Sequence, residues 1–201
     1  MFLQVIQGRV GDRSGLKEGL DRWVAELSPG ADGWLGTTWG LHGDDSFIAL
    51  ARFESADAAR HNSDRPEQGQ WWSSMASCLD GEATFADFDD IIVMGPGGSD
   101  HAGFVQVMQG RVKDVERERA MTAEFASAPM DFRPDIIGGL AGFADDGAFV
   151  QAMYFTTEAE AREGEQKPMP QEMQAMMEQS QANTTEITFI DLTAPNFASP
   201  A

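Results

Sequence analysis

The chain states one plan twice. Phe2-Leu3-Gln4-Val5-Ile6-Gln7-Gly8-Arg9-Val10 returns as Phe104-Val105-Gln106-Val107-Met108-Gln109-Gly110-Arg111-Val112, at an offset of 102. The same offset carries Gly36 onto Gly138, Phe47 onto Phe149, Phe53 onto Phe155, Pro66 onto Pro168 and Asp89 onto Asp191. A register held over most of each half means that one structural unit was duplicated, and a repeat of this kind constrains the fold before any element is assigned. The length of 201 residues suits two units of about 100 residues. The copies also act as each other's control, because a residue found in one alone is not demanded by the shared fold.

Each copy reads as strand, helix, strand, strand, helix, strand. In the first, residues 2–10 are apolar on both faces, as in a doubly covered strand. From Asp12 a helix follows in which Leu16, Leu20, Trp23 and Leu27 recur at steps of three or four. Residues 34–41 and 47–53 form strands joined by the turn-forming run His42-Gly43-Asp44-Asp45-Ser46. Ser55 opens a short helix, Asp64-Arg65-Pro66-Glu67 reads as a fresh helix start capped by Asp64, and residues 83–94 close the unit. The spacing in the second copy predicts strands at 104–112, 136–143, 148–155 and 185–192, with helices at 114–127, 157–163 and 170–181. The expected organisation is therefore a first repeat at 1–94, a Gly/Pro linker at 95–103, a second repeat at 104–194 and a frayed tail at 195–201. Two βαββαβ units define an α+β protein of tandem ferredoxin-like repeats, whose antiparallel sheets are expected to pair into an intrachain α/β barrel.

Charge narrows the function classes. There are 33 acidic against 14 basic residues, a formal charge of −19. Nucleic-acid binding needs a Lys/Arg surface that releases phosphate counterions, and an anionic membrane surface needs the same, so neither partner is expected. No apolar run approaches the ~20 residues needed to span a bilayer. The single cysteine, Cys78, offers no intrachain disulfide and lies on the apolar side of a helix pattern. With no signal-peptide pattern at Met1, the expectation is a cytoplasmic protein. The excess of Arg over Lys suits a GC-rich bacterial genome.

Phe53-Glu54-Ser55-Ala56-Asp57-Ala58-Ala59-Arg60 resembles the strand-to-helix passage of the dimeric α/β-barrel superfamily, whose best-known members are the antibiotic-biosynthesis monooxygenase-like domains. The run Asn62-Ser63-Asp64-Arg65-Pro66-Glu67-Gln68-Gly69-Gln70-Trp71-Trp72 is similar to one in two-copy bacterial members of that group. The resemblance covers nearly the whole chain at the level of fold. It implies a ligand held between the sheet and helices of a half, and cofactor-independent oxygenation, haem degradation, haem binding or no chemistry at all. The haem-degrading members carry an Asn on the first strand, a Trp near the third and a helical His. This chain has Gln4 and Gln7 on the first strand and Phe47 and Phe53 on the third.

Comparing the copies sorts the candidates. Trp23 aligns with Phe125, Trp34 with Ile136 and Trp71 with Met173, so large apolar groups recur and these are expected core residues. Trp39 aligns with Ala141 and Trp72 with Gln174, aromatics beyond what the fold requires and hence candidate ligand-binding residues, with an altered core or an oligomer contact as the alternative. His42 aligns with Ala144 and His61 with Glu163; imidazole suits proton transfer near neutral pH, so these are the candidate catalytic residues. Gln4 is the candidate for orienting a ligand, the alternative being a hydrogen bond between sheets. The expectation is an N-terminal half that binds a small apolar or aromatic molecule and acts, if an enzyme, as a cofactor-independent monooxygenase. No metal and no cofactor is expected, with haem as a variant tied to His61. The alternative is a non-catalytic binding or assembly module, and the chain is expected as a monomeric pseudo-dimer or a homo-oligomer.

Overall fold

The computed structural model describes residues 1–129 and 131–200. In the first copy β1 (Phe2–Arg9) leads to α1 (Arg13–Arg22), then β2 (Trp34–His42), β3 (Ser46–Phe53), α2 (Ala56–Ser63), α3 (Pro66–Ala76), β4 (Thr84–Phe88) and β5 (Asp90–Met94). The second copy runs β6 (Phe104–Val112), α4 (Val115–Ser127), β7 (Ile136–Phe143), β8 (Ala148–Phe155), α5 (Glu158–Glu165), α6 (Gln171–Asn183), β9 (Thr184–Leu192) and β10 (Asn196–Ala198).

Local chemistry sets the helix ends. Asp12 caps α1 by accepting from the backbone N–H groups of Ser14 and Gly15, and Asp114 caps α4 through Arg117. Ser55 and Thr157 do the same for α2 and α5. Asp64, expected to cap α3, instead closes α2; Arg65 precedes α3, and Pro66 occupies the first helical position, where its missing N–H costs nothing. α1 continues into a π-helical turn at Trp23–Leu27, whereas α4 stays regular and ends at Ser127, partway through the equivalent residues.

Two open five-stranded antiparallel sheets result, ordered β10-β2-β3-β1-β4 and β5-β7-β8-β6-β9. Among the described residues no strand pair joins one sheet to the other, and the expected barrel is not closed. Two short strands depart from the expected plan. The closing segment expected at 83–94 breaks at Asp89: β4 pairs with β1, while β5 adds to the edge of the second sheet, with Asp90 opposite Phe143 and Met94 opposite Gly139. The tail expected to fray instead forms β10 on the edge of the first sheet, with Asn196 opposite Trp39 and Ala198 opposite Thr37. Both strands thus lengthen a sheet at its edge. The compact units are residues 1–89 with 196–201, and residues 90–195, so β5 groups with the second copy and β10 with the first.

The register also corrects one detail of the repeat. Leu3 faces Phe88 and Val105 faces Leu192, so the closing strands match at an offset of 104, and Asp87 rather than Asp89 is the counterpart of Asp191.

In the first unit one sheet face and the helices enclose a core of Phe2, Leu16, Trp23, Trp34, Trp71 and Met75, all buried. The other face of β1 and β3 carries Leu3, Val5, Ile48 and Leu50, which are fully buried as well. In the second unit α4 and α6 are tied by a buried polar cluster, in which Glu118 accepts from Asn183 Nδ2 at 2.9 Å and from Ser180. The first unit has Leu16 and Cys78 where the second has Glu118 and Ser180. We therefore expect Glu118→Ala, which strands Asn183 and Ser180, to cost about 1–3 kcal/mol in denaturant titration.

Candidate functional site

A cavity lies between the sheet and the helices of the first unit, with about 770 Å³ of atom-free space counted out to its mouth. Strand alternation selects its walls: Gln4 and Ile6 on β1, Thr37 and Trp39 on β2, and Phe47, Ala49, Ala51 and Phe53 on β3. Helical periodicity selects its roof: Gln68, Trp71, Trp72 and Met75 on α3 recur at three or four residues, as do Ala59, Asn62 and Ser63 on α2. Leu20, Trp23 and Val24 complete it, and Ala198 of β10 contributes from the far end of the chain.

All five tryptophans line this space. Trp23 stands edge-on to Trp34 at 4.8 Å and lies 6.2 Å from Trp71, which lies 5.9 Å from Trp72. Their polar edges divide them as the sequence comparison did. The indole N–H groups of Trp23, Trp34 and Trp71 donate to Gln68 Oε1, Thr37 Oγ1 and the Gly19 carbonyl at 2.7, 3.0 and 2.7 Å. Those three are spoken for by the fold. Among the described residues the N–H groups of Trp39 and Trp72 have no such acceptor, although Trp39 is only 9% exposed.

The expected ligand-binding residues Gln4, Trp39 and Trp72 therefore converge on one cavity, and the histidines do not. On β2 the odd-numbered residues after the bulge at Trp34/Gly36 face the cavity, which puts His42 on the opposite face; it is half-buried, and burial lowers its pKa from the ordinary imidazole value. On α2 the step from Asn62 back to His61 turns the side chain by about 100°, and His61 is exposed. Neither is placed to move a proton within the cavity. The residues missed were Asn62 and Gln68. The copy comparison carries the signal for both, since Asn62 aligns with Gly164 and Gln68 with Pro170.

The two amides are held in fixed orientations. Arg65 Nη1 donates to Asn62 Oδ1 at 3.0 Å, and the Trp23 indole donates to Gln68 Oε1. Because each partner can only donate, each amide oxygen is occupied. Gln4 is anchored the other way round, its Nε2 donating to Asp87 Oδ1 at 2.9 Å across the β1–β4 pair. No lining side chain is ionisable at neutral pH.

Haem iron would need a strong axial donor here. The lining offers no His, Cys or Tyr, its only sulfur being the Met75 thioether, and His61 lies outside; the residues do not fit haem. Among the described residues no group of three or more His, Cys, Asp or Glu could hold a metal ion, and no helix is long and apolar enough to cross a membrane.

The second unit has a counterpart lined by Met94, Phe125, Ile136 and Met153. Part of the equivalent space is filled. Gly164 stands where the first unit has Asn62, and the Arg133 guanidinium approaches it so closely that Nε lies 2.5 Å from the position of an added Cβ. Gly164→Ala is therefore expected to lower the midpoint of unfolding measurably, where Asn62→Ala leaves that midpoint less affected.

No family model matches the chain, and no curated protein does. Solved structures do. A provisionally named monooxygenase from Lactobacillus acidophilus NCFM superposes with a TM-score of 0.74 at 13% identity, over 98% of this chain and 95% of that one. Another from Fusobacterium nucleatum subsp. nucleatum ATCC 25586 gives 0.77 at 10% identity, over 100% and 94%. A protein described as anthrone oxidase-like gives 0.61 at 7% identity, over 99% and 94%. The chain has the fold of the monooxygenase-like α/β proteins that its sequence resembles, in two-copy form. At these identities the likeness is one of fold, and the chemistry must be argued from the cavity.

Proposed function

We propose that the first unit binds a small, flat aromatic molecule and promotes its oxidation by dioxygen without a bound cofactor. The observation that carries this reading is the cavity walled by five tryptophans, two of which keep their N–H groups free. Its lining is apolar with a few fixed polar groups, the pattern of small-molecule sites. The names of the neighbouring structures support the same class of chemistry, and one of them points to an anthrone as a probe. In that reaction the ring methylene loses two hydrogens and four electrons to one dioxygen molecule. One oxygen atom is kept as the new quinone carbonyl and the other leaves as water. The cavity would hold the ring system, exclude bulk water and stack it against indole.

The test joins binding to turnover. Anthrone should quench tryptophan fluorescence saturably and raise oxygen uptake above the uncatalysed rate in the presence of a chelator. Trp39→Ala, which installs the residue that the second copy carries at Ala141, should weaken quenching while the fold persists. Absence of quenching would overturn the whole reading. Quenching without uptake would leave a binding module, the second reading, which the lack of any ionisable lining group favours.

A further inference from the structure

The Gln–Asp pair on the first and last strands occurs in both copies, but its surroundings differ. Gln106 Nε2 donates to Asp191 Oδ1 at 2.9 Å, as Gln4 does to Asp87. In the second unit Arg162 of α5 reaches over and ion-pairs with Asp191, its guanidinium lying 5.1 Å above the Phe104 ring. The equivalent arginine of the first unit, Arg60, is ion-paired instead with Asp57 on its own helix, where the second copy has Ala159. Among the described residues Asp87 has no cationic partner. The pair itself thus belongs to the fold, whereas an Asp left without its arginine belongs to the first unit, the one whose cavity all five tryptophans line.

This has a consequence for the cavity, because Gln4 lines it and Asp87 does not. A carboxylate only accepts, so the Gln4 amide nitrogen is committed to Asp87 and its Oε1 is the free end. A negative charge behind the amide also polarises it, which makes that oxygen a stronger acceptor. Trp39 and Trp72 can only donate. We infer that the ligand of the first unit is a hydroxyl-bearing aromatic whose O–H donates to Gln4 Oε1, with Asp87 as the positioning residue that fixes and polarises the amide. The inference rests on the aromatic-ligand reading above and names the class within it. An anthrone presents such a donor only in its hydroxyl tautomer, formed by moving one proton from the ring methylene to the carbonyl oxygen, so the same contact would favour that tautomer.

The experiment compares 2-naphthol with 2-methoxynaphthalene, which keeps the rings and the oxygen but has no proton to donate, by calorimetric titration of the full chain. One net hydrogen bond predicts a preference of about three- to tenfold for the naphthol. Gln4→Leu should abolish that preference with the ether still bound. Asp87→Asn, exposed and isosteric, should reduce it, and Asp191→Asn should leave it unchanged. A purely structural role would move both constants together and spare their ratio. Equal binding of the two probes by the wild type overturns the inference, as does a preference that survives Asp87→Asn or falls equally in Asp191→Asn. Should Gln4→Leu not fold, Asp87→Asn decides alone. Failure of both probes to bind would instead overturn the aromatic-ligand reading itself.

Discussion

Trp23→Ala is expected to destabilise the protein by about 3–5 kcal/mol, read as a fall in the denaturant midpoint without loss of cooperativity. Trp23 is buried at the start of the π-helical turn, packed against Trp34 and Trp71, and its indole N–H donates to Gln68 Oε1. Truncation removes the ring contacts, enlarges a cavity that is already open, and leaves an amide oxygen unsatisfied. Trp23→Phe, which copies Phe125 of the second repeat, should cost clearly less, because the volume is mostly kept. Trp39→Ala should also cost less than Trp23→Ala, since its indole N–H holds nothing. The same substitution should have the larger effect on ligand binding. Stability and binding would then be carried by different tryptophans of one cluster.

Asp135→Ala is expected to cost a similar amount, about 3–5 kcal/mol, because it leaves a guanidinium buried without its counter-ion. Arg133 donates to Asp135 through Nε at 3.0 Å and Nη2 at 2.7 Å, and it also lies 5.8 Å over the Phe155 ring. Burial alone would raise the Asp135 pKa, but the hydrogen bonds and charge of Arg133 outweigh it, and the net shift is downward from 3.8. The sign follows from linkage. A carboxyl whose folded pKa lies below its unfolded value adds stability above the unfolded value, and that stability is lost as pH falls through the folded one. Wild type should therefore lose stability as pH falls from about 3.8 through the lower folded value, and Asp135→Asn should show a shallower loss over the same range. Equal acid slopes in the two proteins would count against this account.

Much of this architecture is legible in the sequence because the repeat is. The strands at 136–143 and 148–155 occur where their apolar runs predict them, and the helix caps at Asp12 and Ser55 follow from local chemistry. The destination of a strand is not local. Nothing within Ile91-Ile92-Val93 says that it pairs with β7, and Asn196-Phe197-Ala198 is too short to announce a strand at all. Pairing depends on an edge presented by residues far away in the chain. The site shows the same limit. Comparison of the copies isolated Trp39 and Trp72, since an aromatic aligned with Ala or Gln is visible without a structure. It also raised His42 and His61, which fail because asymmetry between copies does not say which face a side chain occupies. Strand parity and helical phase do, and both turn the histidines away.

β10 makes the first unit wait for residues made after the whole second copy. Its wall against β2, and Ala198 in the cavity, come from residues synthesised roughly a hundred positions after the rest of that unit. On a ribosome the β2 edge therefore emerges with unpaired N–H and C=O groups and stays so while the whole second copy is made. A stop codon placed between the repeats would release a first half with an open edge, prone to pairing with another such half, rather than a finished domain. The cavity in that half matures only once residues 196–198 have been made.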